Sequence, residues 1–272
     1  MKIGFHIENP PIFKDPRFAA VKEALEEGGV HLYPLDSRGD IREGTVMVLS
    51  LGGDGTFLST AHLIAEAGIP ILGVNFGRMG FLSENSPESV AGPILDGSYT
   101  IEDRGMLRVC PDAALPADFW PYALNEAGLH RISAGMLGIE ASIGETALPT
   151  YWADGLMVST GSGSTAYNLS AGGPICLPEA AVHLLTPIAP HNLGLRPLVV
   201  PSDKTIRLTA TSRSGKASLL LDNRSYEVDS GAAMEVTSAP FCLRRVNLGQ
   251  NSFIDALRIR LFWGQDVRNM PV

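Results

Sequence analysis

The sequence predicts a two-part chain, an open parallel α/β unit followed by a β-rich unit. Three observations predict it. The continuous apolar runs Thr45–Leu51 and Ile69–Val74 read as strands buried on both faces, as in parallel sheets covered by helices. Helical spacings alternate with such runs up to about residue 100. Beyond it, short strand-like runs succeed one another with few helix signals. A chain of 272 residues that is 45% hydrophobic and 18% charged has the length and composition to bury a core in each part.

Lys2 to Ile7 reads as the first strand. Asp15-Pro16 supplies an N-cap and a proline at the first helical position. Phe18, Val21 and Leu25 then fall at helical spacing until Gly28-Gly29 stops the helix. Val30 to Tyr33 is a second strand, Thr45 to Leu51 a third, and a helix follows from about Thr56 to Glu66. Ile69 to Val74 is the next strand, and Ser86-Pro87 opens another helix. The second part shows strand runs at Ala123–Arg131, Leu156–Ser159, Thr205–Thr211, Ala217–Leu221 and Met234–Thr237. In the tail, Ser252 and Asp255 form a capping-box-like start, with Phe253, Leu257 and Leu261 at i, i+4 and i+8 before Gly264. The expected division is residues 1–100, completed by about 248–272, against 101–247, with the terminal helix packing back on the first part.

The formal charge of −8 argues against a nucleic-acid binder, which would show a basic face. Three widely spaced cysteines, Cys110, Cys176 and Cys242, form neither a disulfide framework nor a zinc pattern, and fit a reducing cytoplasm. The N-terminus lacks the apolar core of a signal peptide, and no run approaches the ~18 apolar residues of a membrane span.

Glycine is in excess, 29 of 272 residues, and two clusters hold the informative ones. Leu51-Gly52-Gly53-Asp54-Gly55-Thr56 joins a buried strand to a helix, the place where open α/β sheets bind ligands. Glycines there let backbone N–H groups approach a phosphate. Asp54 is unusual, because a carboxylate beside a phosphate repels it unless it holds a metal or takes a proton. The alternative is a tight turn using Gly and Asp for positive φ and capping. The spacing fits neither a Walker A loop nor a dinucleotide GxGxxG fingerprint. The second cluster, Ser159-Thr160-Gly161-Ser162-Gly163-Ser164-Thr165-Ala166-Tyr167, follows a strand headed by a buried-looking Asp154 and runs on to Gly172-Gly173-Pro174. Its hydroxyls and N–H groups suit a polar ligand, and Tyr167 offers a ring for stacking. Asn125-Glu126 interrupts an apolar stretch and needs hydrogen-bond partners, either ligand hydroxyls or solvent at an edge strand.

Together these residues resemble the NAD kinase family over nearly the whole chain. The matching stretches are Gly52–Thr56, Gly73–Leu82, the Asn125-Glu126 pair, Ala153 through Pro174, Thr186–His191, Arg196–Pro201 and the closing Leu261–Gly264. Departures are Gly161 and Ser162, where the family favours proline and threonine, and Asp222-Asn223-Arg224, where it favours Asp-Gly-Gln. Asn223 would tolerate the left-handed turn. The stretch His6 to Phe13 lacks the basic, glycine-containing character of some members, which leaves donor contacts there open.

The resemblance implies a Rossmann-like first domain and a β-sandwich second domain. It implies phosphoryl transfer from ATP to the 2′-hydroxyl of the adenosine ribose of NAD, giving NADP. It places Asp54 as general base, the N–H groups of Gly52, Gly53 and Gly55 toward phosphates, and Thr56 beside them. Asn125, Glu126 and Asp154 would hold ribose hydroxyls or the nicotinamide end. Ser162, Thr165, Ala166, Tyr167, Ser170 and Ala189 would line the NAD pocket, with Leu58 and Phe81 as apolar walls. A divalent metal, Mg²⁺ or Mn²⁺, would enter on the ATP phosphates, and the chain would form a homotetramer or homodimer. His191, a lone histidine between Pro190 and Asn192, reads as structural. A lipid kinase shares the GGDG loop but needs an apolar acceptor pocket, and an NAD-sensing binder would gain nothing from Asp54.

Overall fold

A computed structural model describes residues 1–77, 80–250 and 252–264. Contacts divide the chain into two compact units, Met1–Glu102 with the segment from Arg244 onward, and Asp103–Leu243. Arg78 and Met79, quoted above within Gly73–Leu82, lie outside the described residues, as does the end of the chain after Gly264.

In the first unit the strands His31–Pro34, Lys2–His6, Thr45–Leu51 and Ile71–Val74 lie side by side in that order, all parallel, and Arg245 adds a parallel bridge to Ile71. Helix Pro16–Glu27 forms as its sequence dictates: the Asp15 side chain accepts the Arg17 N–H, Pro16 occupies the first turn, and Phe18, Val21 and Leu25 are buried. These three join Ile3, Met47, Leu49, Leu72 and Val246 in one core. The sheet order places the switch in chain direction between Lys2–His6 and Thr45–Leu51, so the loops leaving their carboxyl ends diverge and open a crevice.

Several boundaries differ from the sequence reading. The helix expected from Thr56 begins at Asp54 and ends at Ile64, because Gly53 already serves as its N-cap. The helix expected at Ser86-Pro87 is a single 3₁₀ turn, Pro87–Ser89, followed by the short helix Ala91–Asp96. The terminal helix Phe253–Leu261 has the expected capping box, but Phe262, in the left-handed conformation, ends it before Gly264. It packs on the first unit through Phe253, whose ring lies 6.1 Å from that of Phe81.

The second unit is a β-sandwich. One antiparallel sheet runs Leu198–Pro201, Val182–Ile188, Gly155–Ser159, Glu126–His130, Lys216–Leu221, Arg224–Asp229. The other pairs Tyr151–Ala153, Leu137–Ile143, Ile206–Ser212 and the start of Ala233–Asn247. Leu129, Leu156 and Leu219 from one sheet and Ile139, Leu208 and Met234 from the other bury into one core. Six strands, Thr100–Pro111, Leu137–Ile143, Tyr151–Ala153, Val182–Ile188, Leu198–Pro201 and Arg224–Asp229, are among those the sequence does not predict; of these, Thr100–Pro111 and Val182–Ile188 carry a visible reason. Charged residues at 102–104 break the alternation of Thr100–Pro111, and His183 and Pro187 interrupt Val182–Ile188.

The described residues include no helix long and apolar enough to cross a membrane. All three cysteines are free.

Candidate functional site

The GGDG loop sits at the carboxyl end of Thr45–Leu51, in the crevice that the sheet order creates. A cleft of 570 Å³ opens there between residues 8–15, Gly52, Gly53, Gly55, Thr56 and the turn at Phe76 and Gly77. Among the described residues lining it there is no Lys or Arg, while Glu8 and Asp15 contribute carboxylates, the latter paired with Arg17 at 2.7 Å. What the described lining offers an anion is backbone dipoles. A helix starting at Asp54 leaves the N–H groups of Asp54, Gly55 and Thr56 without intrahelical acceptors, at the positive end of the helix dipole.

The loop glycines do not serve a left-handed turn, for Gly53 has φ −97°. A Cβ added to Gly53 or Gly55 would meet nothing within 4 Å, so neither is required by the protein's own packing. What their lack of side chain provides is bare backbone facing the cleft. Gly52 differs from its expected role. Its N–H donates to the Val74 carbonyl at 2.9 Å and is not available to a phosphate. A Cβ there would collide with the Thr56 side chain, so Gly52 is a packing glycine. Thr56 is buried and Leu58 half-buried on the same helix.

The Asp54 side chain is held from one direction. Its Oδ2 accepts the Phe81 N–H at 2.7 Å, and its Oδ1 accepts those of Leu82 and Ser83 at 3.0 and 2.9 Å. Oδ1 is thereby filled, and Oδ2 keeps a lone pair. The turn that supplies these groups is closed by Gly80 N–H donating to the Ser83 carbonyl. It is braced by Asn75, whose side-chain amide also donates to the Ser83 carbonyl. The Phe81 ring meets that of Phe253 in a tilted pair, and the Arg260 guanidinium lies 4.3 Å from its ring centre.

In the second unit, Asn125-Glu126 is anchored by Asp222, a role that nothing in the local sequence signals. Asp222, with φ 52°, accepts the N–H groups of Leu124, Asn125 and Glu126 at 2.8, 2.8 and 3.2 Å. The left-handed residue of that turn is Asp222 itself rather than Asn223. The departure at Arg224 also gains an explanation: its guanidinium donates to the Trp120 and Tyr122 carbonyls and stacks over the Trp120 ring. Asn125 and Glu126 are both buried, and Glu126 Oε2 has no hydrogen-bond partner among the described residues. Burial, then the Asp222 carboxylate, pushes Glu126 up to about 8, against the pull of the Tyr167 backbone N–H. At neutral pH it therefore carries a proton that it can donate to a ligand oxygen.

The serine-glycine segment is rigid rather than a loose wrap. Thr160 donates to the Leu124 carbonyl, Ser164 to that of Cys176, and Gly163 N–H to the Thr160 hydroxyl. A Cβ on Gly163 would collide with the Asn125 carbonyl, and one on Gly161 would stand 2.8 Å from that of Leu177. Asn168, which no sequence motif singles out for a role, ties Ser164, Pro174 and Thr186 together. Ser162 Oγ is buried and unpartnered among the described residues, while Thr165, Ala166 and Ser170 lie on the more exposed turn.

Tyr167 is 36% exposed, and its hydroxyl is 3.2 Å from His130 Nε2. Asp154 is not buried, contrary to the sequence expectation. It is partly exposed and paired with Arg131 at 2.9 Å. Ala189 holds φ 46°, an uncommon conformation for a residue with a side chain. His191 donates its backbone N–H to the Trp152 carbonyl.

The ATP-NAD kinase N-terminal domain family matches residues 36–97, and the ATP-NAD kinase C-terminal domain family matches residues 124–248. An NAD kinase of Porphyromonas gingivalis is 45% identical over 225 residues, 81% of this chain and 77% of that protein. The chain belongs to the NAD kinase family. A member from Flavobacterium psychrophilum is 36% identical over 266 residues, covering 96% of this chain and 90% of its own. An Archaeoglobus fulgidus NAD kinase solved with ATP superposes with TM-score 0.74 at 26% identity, covering 97% and 98% of the two chains. Yeast NADH kinase, solved with NADH, shares the fold with TM-score 0.85 at 24% identity over 100% of this chain and 90% of its own.

The raised Glu126 gives a signed pH dependence. The folded protein keeps a proton that the unfolded chain loses near 4.5, so this group's contribution to stability is full below 4.5 and lost as pH rises through about 8. Glu126→Gln cannot titrate. The melting temperature of the native protein relative to Glu126→Gln should fall between about pH 5 and 8.5. A difference constant across that range contradicts the assignment.

Proposed function

We infer that this protein is an NAD kinase that transfers the γ-phosphoryl group of ATP to the 2′-hydroxyl of the adenosine ribose of NAD. One observation supports the catalytic assignment above the others: the Asp54 carboxylate beside the bare glycine backbone, fixed by three N–H groups with one lone pair left on Oδ2. In the step, the ribose O–H bond breaks and its proton passes to Asp54 Oδ2. The oxygen forms a bond to the γ-phosphorus, the bond from that phosphorus to the β-bridging oxygen breaks, and ADP leaves. Phosphoryl transfer asks little covalent chemistry of a protein and much positioning. The fixed carboxylate and the N–H groups of Gly53, Gly55 and Thr56 supply that positioning on the first unit. On the second unit, Asn125, protonated Glu126, Asp154, Ser162 and Tyr167 are assigned to NAD, with Thr165, Ala166, Ser170 and Ala189 lining its site. Leu58 and Phe81 provide apolar walls.

Among the described residues no group of three His, Cys, Asp or Glu side chains converges to hold a metal. The cleft at the glycine loop shows carboxylates and no cation among its described lining. We therefore assign the divalent cation, Mg²⁺ or Mn²⁺, to the donor's phosphates, where it neutralises charge that the chain leaves unmatched. We also assign the protein to the cytoplasm, as a homotetramer or homodimer.

Asp54→Asn should fold and lose about 10²–10⁴-fold in turnover, as when an acid–base group is removed. Turnover equal to the native protein would take Asp54 out of the role. NADP formation from ATP and NAD should stop on chelation with EDTA and return with Mg²⁺, and formation indifferent to EDTA contradicts the metal assignment.

A further inference from the structure

Arg260 lies on the terminal helix, Phe253–Leu261, in an unusual electrostatic position. Its guanidinium stacks on Phe81, the residue whose N–H holds Asp54 Oδ2. Its Nε and Nη2 are buried and have no hydrogen-bond acceptor among the described residues. The neighbouring carboxylates bond other groups. Asp54 is taken up by the Phe81, Leu82 and Ser83 N–H groups, and Glu84 contacts Arg245 at 2.5 Å. Burial lowers the pKa of Arg260, and the charges of Asp54 and Glu84 partly restore it against that of Arg245. A guanidinium remains charged in any protein, so unmet buried N–H groups carry a desolvation cost unless a ligand meets them.

We propose that Arg260 binds the phosphoryl group at the ribose 2′ position, meeting its oxygens during transfer and again in the product NADP. The proposal rests on the kinase reading given above. Asp54 marks where the acceptor hydroxyl must lie, and that hydroxyl becomes a phosphate ester. A phosphate has the acceptor oxygens that Nε and Nη2 lack, in the planar paired geometry a guanidinium prefers. NAD has no charge at this position, whereas NADP carries a phosphate there. Arg260 thus discriminates product from substrate, and it sits on the phosphoryl side of the reaction rather than on the dinucleotide's shared portion. The stacking on Phe81 fixes the plane of the guanidinium, so that little side-chain freedom is lost when phosphate arrives.

The test is equilibrium binding of NADP and of NAD to the intact protein, with NADP formation measured alongside. Arg260→Met should weaken NADP about ten- to hundredfold, the effect of losing a charged hydrogen-bonding partner, and leave NAD within about twofold. Arg260→Lys, which keeps charge without the paired geometry, should recover part of the NADP affinity. In kinetics, Arg260→Met should lower kcat with little change in the KM for NAD. If the native protein forms NADP while Arg260→Met and Arg260→Lys both keep its NADP-to-NAD affinity ratio, the Arg260 assignment is overturned and the kinase reading stands. Equal weakening of NAD and NADP also overturns it, since that is the mark of a merely structural arginine. A native protein that forms no NADP overturns the kinase reading and this proposal with it.

Discussion

The three N–H groups of Phe81, Leu82 and Ser83 converging on the Asp54 carboxylate are the constraint around which the first unit is arranged. A carboxylate at the start of a helix adds negative charge where an anion would otherwise dock. Here its charge is met by backbone dipoles from a turn distant in sequence, and its orientation is set by the same bonds. The turn has its own supports. Asn85 donates to the Gly73 carbonyl, Asn75 braces Ser83, and Glu84 contacts the buried Arg245, which also pairs with Glu102 at 2.9 Å. Arg245 lies on the strand Ala233–Asn247, so a residue near the end of the chain secures a turn near its beginning.

The second unit repeats the device. Asp222 collects the N–H groups of Leu124, Asn125 and Glu126, as Asp54 collects those of Phe81 to Ser83. In both cases a buried or partly buried carboxylate organises three consecutive amides, satisfying donors that burial would otherwise leave costly. The outcomes differ. At Asp54 the anchored group is the carboxylate proposed as the general base. At Asp222 the anchored group is the neighbouring backbone, and the beneficiary is Glu126, whose side chain is left in a dry site with a proton it cannot easily lose. This division gives an acidic chain a way to handle anionic substrates. The N–H groups at the start of helix Asp54–Ile64 and the protonated Glu126 carboxyl can donate hydrogen bonds without adding negative charge.

Much of this is legible in the sequence, because the signals are local. Asp15-Pro16, the run Thr45–Leu51 and the Ser252/Asp255 box each encode their element within a few residues, and each forms. The glycine loop announces a ligand site through its composition. What the sequence conceals is pairing over distance. Nothing near Asp54 indicates that its partners lie at 81–83, or that Gly52 gives its N–H to Val74. Asp222 stands out in the sequence only as part of an odd turn, although its spacing of almost a hundred residues from Asn125 is bridged by direct bonds. Asp154 looks buried because an apolar run follows it, yet Arg131 draws it to the surface. Arg260 gives no signal at all. A charged residue on an amphipathic terminal helix reads as solvent-facing until the stack on Phe81 is seen.

The proposed role of Asp54 requires that turnover depend on where the 80–83 turn holds its carboxylate, not only on the carboxylate being there. Gly80 isolates that dependence, because a Cβ at this position would overlap Asp54 Oδ1 and must displace it. The decisive measurement is the rate of NADP formation by Gly80→Ala, with folding checked by circular dichroism. The expected outcome is a folded protein that retains Asp54 yet turns over about a hundredfold more slowly, as a misplacement near 1 Å would produce. Native turnover in a folded Gly80→Ala protein would show that the placement of Asp54 by this turn does not govern the reaction.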